Sequence, residues 1–482
     1  MAPGNLDNKG KGKAVLNDDD DISAPTMPVE AIGSSGGQPA RSSAQAIPPA
    51  AAMAAPPLIH RGSQSQQLDK SLIVLIKCVM QQCVTGMEAA NTEAANSALV
   101  ALSSASSLDG DPIQRLTSAF AEALARRALA LLQGLSWSVQ GQLRTPPSPA
   151  YAGVARQWFH SLNPLLRGAS LAANHGIVRA VEGEQVVHVV DLGGANPRQW
   201  IELLRLLAGR PGGAPSSLRL TIVSEHAFFL SCATELLTAE AARLHLSLAV
   251  HTVQAHIDNF SATVLASLGV QRGPALVLSS TLQLHRLIAD TAVVRHADRE
   301  HETMTRADVL LRLLRDLSPK VLVLTEQEAD HNNGEGRGAG ALWDRVNNAF
   351  DYYAVLFNEL EVSGVPRGSL DRAVVERLHL REEIMDIVAR DGAARRERHE
   401  KMQRWVPRMA AAGFQPVPVT MDGFREATRL DRRRSTSDAD RQRPLYRVTA
   451  VKEMGCFYVH SCSAPMFSVS FWQPAPPRDD QQ

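Results

Sequence analysis

In this 482-residue chain, Asp191-Leu192-Gly193-Gly194-Ala195-Asn196-Pro197 is the segment best suited to chemistry. It follows the β-branched run Val186-Val187-His188-Val189-Val190 and opens an apolar stretch at helical spacing. An acid and paired glycines at a strand-to-helix turn let the backbone approach a ligand. The helix N-terminus then favours an anion. Asn196 is a good N-cap, Pro197 suits the first helical position, and Gln199 has capping-box spacing. Glu225, after the next strand, could hold a ribose, although it lies beyond the usual ~20 residues. A third glycine, expected at Ala195 or Asn196, is missing. The plainer reading is a tight turn that needs flexible φ and binds nothing, and a lone degenerate glycine loop favours it.

Other constellations fail on spacing or context. His296-Ala297-Asp298-Arg299-Glu300-His301 has one residue too many for H-x-x-E-H. Glu397-Arg398-His399-Glu400 lacks the second His of H-E-x-x-H. Ligands of one metal must share a helical face, so both stretches are expected to be solvated helix surface, and no metal set is assigned. His285 follows a strand at 275–279, on the edge where parallel sheets bind ligands. A hydrogen-bonded structural His is expected there. Gly33-Ser34-Ser35-Gly36-Gly37 fits G-x-S-x-G but has neither the strand nor the helix that a nucleophile elbow needs. No acid–base pair accompanies the Asp191 turn, so catalysis has little to stand on. Leu-x-x-Leu-Leu occurs at 162–166, at Leu203, Leu206 and Leu207, and at Leu310, Leu313 and Leu314. That is a docking pattern, though such leucines are usually core. Residues 425–443 hold seven Arg against four acids and read as an exposed loop open to phosphorylation.

These residues need a scaffold, and composition bounds it. Lys+Arg and Asp+Glu are both 50, so the chain lacks the basic footprint of a protein that grips DNA phosphates directly. The 44% hydrophobic content supports a large core, and 5% aromatics means aliphatic side chains fill it. No apolar run is expected to reach the ~20 residues that span a bilayer. The N-terminus has no apolar signal region. Five cysteines without a C-x-x-C argue for a reducing compartment.

Residues 1–67 contain no Trp, Tyr or Phe and are expected to be a disordered tail. Lys9, Lys11 and Lys13 are read as an ordinary solvated run. Residues 68–184 show helical periodicity, with Leu68, Leu72, Leu75, Ile76, Val79 and Cys83 placed on one face. Helices are predicted at 85–103, 112–135 and 303–317. From 185 to 474, short apolar runs alternate with helices, then four close-spaced strands follow residue 414. The expected fold is α/β: a Rossmann-like, methyltransferase-type sheet, parallel with late antiparallel strands, under a helical cap.

Several motifs in order resemble the plant GRAS family, closest to its SCARECROW-like branch, over residues 68–472. Asp109-Gly110-Asp111-Pro112-Ile113-Gln114-Arg115-Leu116 resembles part of the first leucine-rich region. Val187-His188-Val189-Val190-Asp191 with Gln199-Trp200 resembles the VHIID motif. Residues 218–246 resemble the second leucine-rich region. Thr325-Glu326-Gln327-Glu328-Ala329-Asp330-His331-Asn332 is specific to that branch. Arg398-His399-Glu400 and Trp405 fit the PFYRE region, and Ser470-Phe471-Trp472 the SAW motif. Glu382 stands where many members have Arg, Phe471 replaces the Ala of SAW, and no DELLA-type sequence occurs in the tail. The resemblance implies a nuclear transcriptional regulator, not an enzyme, with no cofactor and no membrane. It would act through DNA-binding transcription factors, zinc-finger proteins included, and through other GRAS proteins, so its contact with DNA is indirect. A role in plant development or gibberellin-related signalling follows. A methyltransferase-like enzyme or small-molecule receptor using Asp191, Gly193 and Gly194 is the alternative.

Because the tail lacks core-forming side chains, a chain beginning near Ser63 should keep its melting temperature within error in a thermal scan. A large drop would mean that the tail docks.

Overall fold

β-branched runs bounded by turns form the strands Val186–Asp191 (β1), Ser217–Ser224 (β2), Leu248–Gln254 (β3) and Ala275–Thr281 (β4). The later strands are Thr291–His296 (β5), Arg299–Thr305 (β6), Val321–Gln327 (β7), Phe414–Pro416 (β8), Arg447–Val451 (β9), Cys456–Ser461 (β10) and Ala464–Pro474 (β11). The computed structural model describes residues 61–131, 149–193, 196–289, 291–296, 299–332, 340–363, 365–421, 424–425, 446–461 and 464–476, without the side chains of 61–69, 149–152 and 291–303. Gly194, residues 1–60 of the expected tail and the basic stretch from 426 to 443 lie outside these residues, whereas 61–67, also expected to be disordered, open the first helix.

The main sheet has the order β3-β2-β1-β4-β7-β11-β10-β9, with β8 paired to β11. β3, β2, β1, β4 and β7 are parallel, so their carboxyl ends share one edge. β11 runs antiparallel between β7 and β10. This is the Rossmann-like, methyltransferase-type sheet expected from the run of strands. Alternate side chains feed two apolar layers, Val187, Val189, Val277 and Val323 into one, Val190, Leu278, Leu322 and Leu324 into the other.

The helical cap is formed by α1 (Arg61–Glu88), α2 (Thr92–Ser104), α3 (Pro112–Leu131), α4 (Pro149–Leu162) and α5 (Pro164–Ala180). Asn91 and Asn163 cap α2 and α5, accepting from Ala94 N and Leu165 N. α6 (Pro197–Ala208), α7 (Ala227–Arg243), α8 (Ala262–Ser267) and α9 (Arg306–Asp316) belong to the α/β part. They are followed by α10 (Ala341–Val362), α11 (Leu370–Val374), α12 (Arg381–Ala389) and α13 (Met402–Ala411). α5 crosses β11 closely: the space a Gly176 Cβ would need is filled by the Phe471 ring.

Several expectations need correction. The cap is not confined to 68–184. α10 and the helical turn at 375–380 that leads into α12 complete it, through Phe120 against Phe350 at 5.3 Å and Arg115 on Glu376 at 2.9 Å. Residues 291–296 and 299–305 pair as antiparallel strands, not helix surface, so the described residues of the His296–His301 stretch lie in strands. α9 therefore starts after Thr305, which closes a capping box with Asp308. α1 runs on to Glu88, and α2 is a separate helix capped by Asn91. Leu75 is 60% exposed, while Ile76, Met80, Cys83, Val84 and Met87 form the buried stripe. A period of 3.6 starting from Ile76 turns Leu75 outward. The segment Lys70–Glu88 of α1 is also long and apolar enough by composition to cross a membrane. In this fold its inner face packs in the cap, and Lys77 pairs with Asp351 at 2.5 Å.

Burial decides the expected mutational outcome. Ile76→Asp places an unpaired charge in the cap core and should cost more than about 3 kcal/mol in denaturant unfolding. Leu75→Asp should stay within about 0.5 kcal/mol of wild type.

Candidate functional site

The turn after β1 is built around Asp191, which is buried opposite Ser279 of β4 and Ile222 of β2. Gly193 N donates to Asp191 Oδ1 at 3.1 Å, and Trp200 Nε1 donates to Oδ2 at 2.9 Å. Burial raises the carboxyl to about 7 even though both donors favour its ionised form. Gly193 has φ +120°, and a Cβ there would lie 3.4 Å from Gln283. The turn therefore requires glycine at that position. Asn196 caps α6, its side chain accepting from Arg198 N at 3.1 Å. Gln199 does not close the capping box. Its backbone carbonyl accepts from Asn174 Nδ2 at 2.8 Å, and its side chain is buried beside Asn174.

A cofactor-binding sheet of this type leaves a crevice beyond these strand ends. Here the space beside Gly193 is a cavity of about 40 Å³. Ligand sites are typically about 300–1,000 Å³, so this one has room for little more than water. Arg156 and Gln157 from α4, with His226 and His256, line it. Glu225, the acid that could have held a ribose, is engaged by His226 Nε2 at 3.1 Å and His256 Nε2 at 3.0 Å. Burial would raise the Glu225 carboxyl; the hydrogen bond and charge of His256, with Arg156 and His226, outweigh it and hold the group at about 2. A much larger opening, about 880 Å³, lies in the cap among Met87, Leu99, Val100 and Leu129, away from this turn.

The carboxyl ends of β4 and β7 carry a second polar cluster. Glu326 accepts from His285 Nδ1 at 2.7 Å and from Leu284 N at 3.0 Å. His285 Nε2 lies 2.7 Å from Glu397 Oε2. Burial would depress the His285 imidazole, but Glu326 and then Glu397 outweigh it and raise it to about 10. Glu383 accepts from Tyr353 OH at 2.7 Å, and burial pushes it up to about 7. Glu328 accepts from Met402 N at 3.0 Å. His285 is thus the hydrogen-bonded residue its position implied.

Residues 397–400 depart from expectation. They form neither helix nor solvated surface but a buried, irregular segment. Arg398 reaches Gly392 O at 2.7 Å and Asn332 Oδ1 at 3.1 Å. Glu400 accepts from Asn332 Nδ2 at 2.6 Å and Arg408 Nη2 at 3.1 Å. His399 stands 2.9 Å from His331, nitrogen to nitrogen. Of their partners, Glu326 and His331 lie in the motif at 325–332, whose acids end the otherwise apolar β7, whereas Tyr353 and Glu383 carry no local signal.

The residues named as docking candidates are mostly internal. His188 is buried, its Nε2 2.8 Å from Thr221 Oγ1, and burial holds it near 4, so it is neutral. Leu203, Leu207, Leu310 and Leu314 are core, and Leu206 and Leu313 are half-buried. The match at 162–166 straddles the break between α4 and α5. Trp200, Trp405 and Trp472 are all fully enclosed, and Trp472 Nε1 donates to Ser470 Oγ at 2.8 Å. None of these presents an outer docking face.

The sheet order defines a class, a methyltransferase-type fold, and the described residues beside Gly193 leave about 40 Å³. The chain belongs to the GRAS domain family, which it matches over residues 76–473. That family comprises plant transcriptional regulators. It is 31% identical over 439 residues to Scarecrow-like protein 3 of Arabidopsis thaliana, covering 81% of this chain and 87% of that protein. It is 30% identical over 442 residues to the GRAS family protein TF80 of Medicago truncatula, covering 83% and 94%. Its fold is similar to the crystal structure of SCL7 from Oryza sativa, with a TM-score of 0.64, 26% identity and coverage of 82% and 99%.

The Asp191 carboxyl has a pH signature. Its folded value of about 7 exceeds the ordinary 3.8, so its contribution is fully present below pH 3.8 and is lost as pH rises towards 7. A tenfold change in proton affinity corresponds to about 1.4 kcal/mol. Asp191→Asn should therefore lose less stability than wild type between pH 4 and 7, measured by urea unfolding. Parallel pH profiles would show that Asp191 ionises normally.

Proposed function

We propose that this protein is a nuclear co-regulator of transcription whose α/β core is a scaffold and not a catalyst. The observation that carries the reading is the crevice at the Asp191 turn. Arg156, Glu225 and His256 line it, and the described residues leave about 40 Å³. An S-adenosylmethionine-dependent enzyme or a nucleoside receptor needs more space than that, which supports the scaffold reading over the alternative. The balance of 50 basic and 50 acidic residues supports indirect contact with promoters. The partners are DNA-binding transcription factors, zinc-finger proteins among them, and other GRAS proteins. The biological setting is plant development, gibberellin-related signalling included.

Two linked assays test this. The full chain, used as bait in plant nuclear extract, should capture sequence-specific DNA-binding factors identified by mass spectrometry. Alone, it should leave labelled promoter DNA unshifted at physiological salt. Tight DNA binding by the purified chain would overturn the reading.

A further inference from the structure

Two buried histidines and a half-buried glutamate near the ends of β4 and β7 converge without sharing a secondary-structure element. The ligand-capable atoms of His285, Glu397 and His399 all lie within 4.8 Å of one another. Glu397 Oε2 is 2.7 Å from His285 Nε2 and 3.5 Å from His399 Nε2. Tetrahedral bonds of about 2.0–2.1 Å place donors about 3.3 Å apart, so binding needs shifts on the order of an ångström and a rotation of the His285 and His399 rings, whose centroids are 4.2 Å apart with 32° between their planes.

Two further observations point to a ligand. Both imidazoles are held from behind, His285 Nδ1 by the buried carboxylate of Glu326 at 2.7 Å and His399 Nδ1 by His331 at 2.9 Å. A carboxylate behind a histidine is the usual support of a metal ligand, fixing tautomer and orientation. In addition, His399 is 1% exposed, and its Nε2 has no hydrogen-bond partner. A buried polar atom left unmatched is costly and rare.

We propose that His285, Glu397 and His399 form a divalent-cation site of the two-histidine, one-carboxylate kind, suited to zinc. His399 donates from Nδ1 to His331, which leaves its Nε2 lone pair for the ion. The proton on His285 Nε2 passes to solvent as the ion binds, three coordinate bonds form, and no electron is transferred. Glu397 Oε1 remains with Arg286, whose Nε is 3.7 Å away. Glu397 also lines a cleft of about 170 Å³ with Asp386 and Arg396, which offers entry and room for a water in the fourth position. Arg156, Arg286, Arg390 and Arg396 line that cleft and oppose a cation, while the carboxylates of Glu397 and, behind His285, Glu326 attract one. The role is structural: the ion would tie the 397–400 segment to the sheet.

The test uses the full chain, stripped with a chelator and checked by circular dichroism. Zn²⁺ is titrated against a fluorescent competitor. One equivalent is expected, with a raised melting temperature. His399→Gln should weaken binding at least a hundredfold, and Glu326→Gln ten- to a hundredfold. His256→Gln, at the separate Glu225 cluster, should leave it unchanged. If His399→Gln fails to fold, Co²⁺ added to His256→Gln protein gives a second readout. Intense ligand-field bands of a tetrahedral site are expected, and the weak spectrum of the hydrated ion would overturn the proposal. Failure of the folded wild type to bind zinc, or equal binding by folded His399→Gln, would also overturn it.

Discussion

Carboxylates buried at the ends of parallel strands must find donors, and this constraint organises the whole carboxyl edge of the sheet. Asp191 ends β1, and Glu326 and Glu328 end or follow β7. In a ligand-binding sheet such groups face an open crevice. Here their donors are the Trp200 indole, the His285 imidazole and the Met402 amide. Each bond spends on the chain itself a group that a cofactor would otherwise use.

The same bonds make cap and core mutually dependent. Glu397 lies on a segment whose backbone is held by Asp386, which accepts from Arg396 N and Glu397 N at 2.7 Å. Asp386 belongs to α12, which packs on α3 of the cap. Arg115 of α3 bonds Glu376 and Glu361, and Arg345 of α10 bonds Asp391 at 2.8 Å. Removing one member of such a network leaves its partner charged, buried and unmatched, which costs more than the bond itself contributes. A GRAS motif residue such as Arg398 or Glu400 is therefore better understood as a brace than as a contact for a partner.

Local signals made much of the fold legible. The run from Val186 to Val190 and its counterparts announce strands by β-branching, and Asn196-Pro197 announces a helix start. What the chain does not reveal locally is pairing across distance. Glu326 stands 41 residues from His285, and Glu397 112 residues from it. No spacing rule connects them, so Glu397-Arg398-His399-Glu400 reads as a charged surface stretch when taken alone. Leu75 misleads for a related reason: hydrophobicity marks the helix, but only packing shows which side of the stripe faces inward. The pairing of β5 and β6 is hidden because Arg, His and Glu interrupt their Val and Thr residues, so neither strand shows an apolar run or a regular alternation.

On the proposed reading, closure of the Asp191 crevice by the protein's own side chains separates a scaffold from a cofactor-binding sheet. Calorimetric titration of S-adenosylmethionine into the full chain tests that closure most directly. No binding heat is expected at millimolar ligand. Micromolar binding that Asp191→Asn abolishes would contradict closure and return the Asp191 turn to the status of a ligand site.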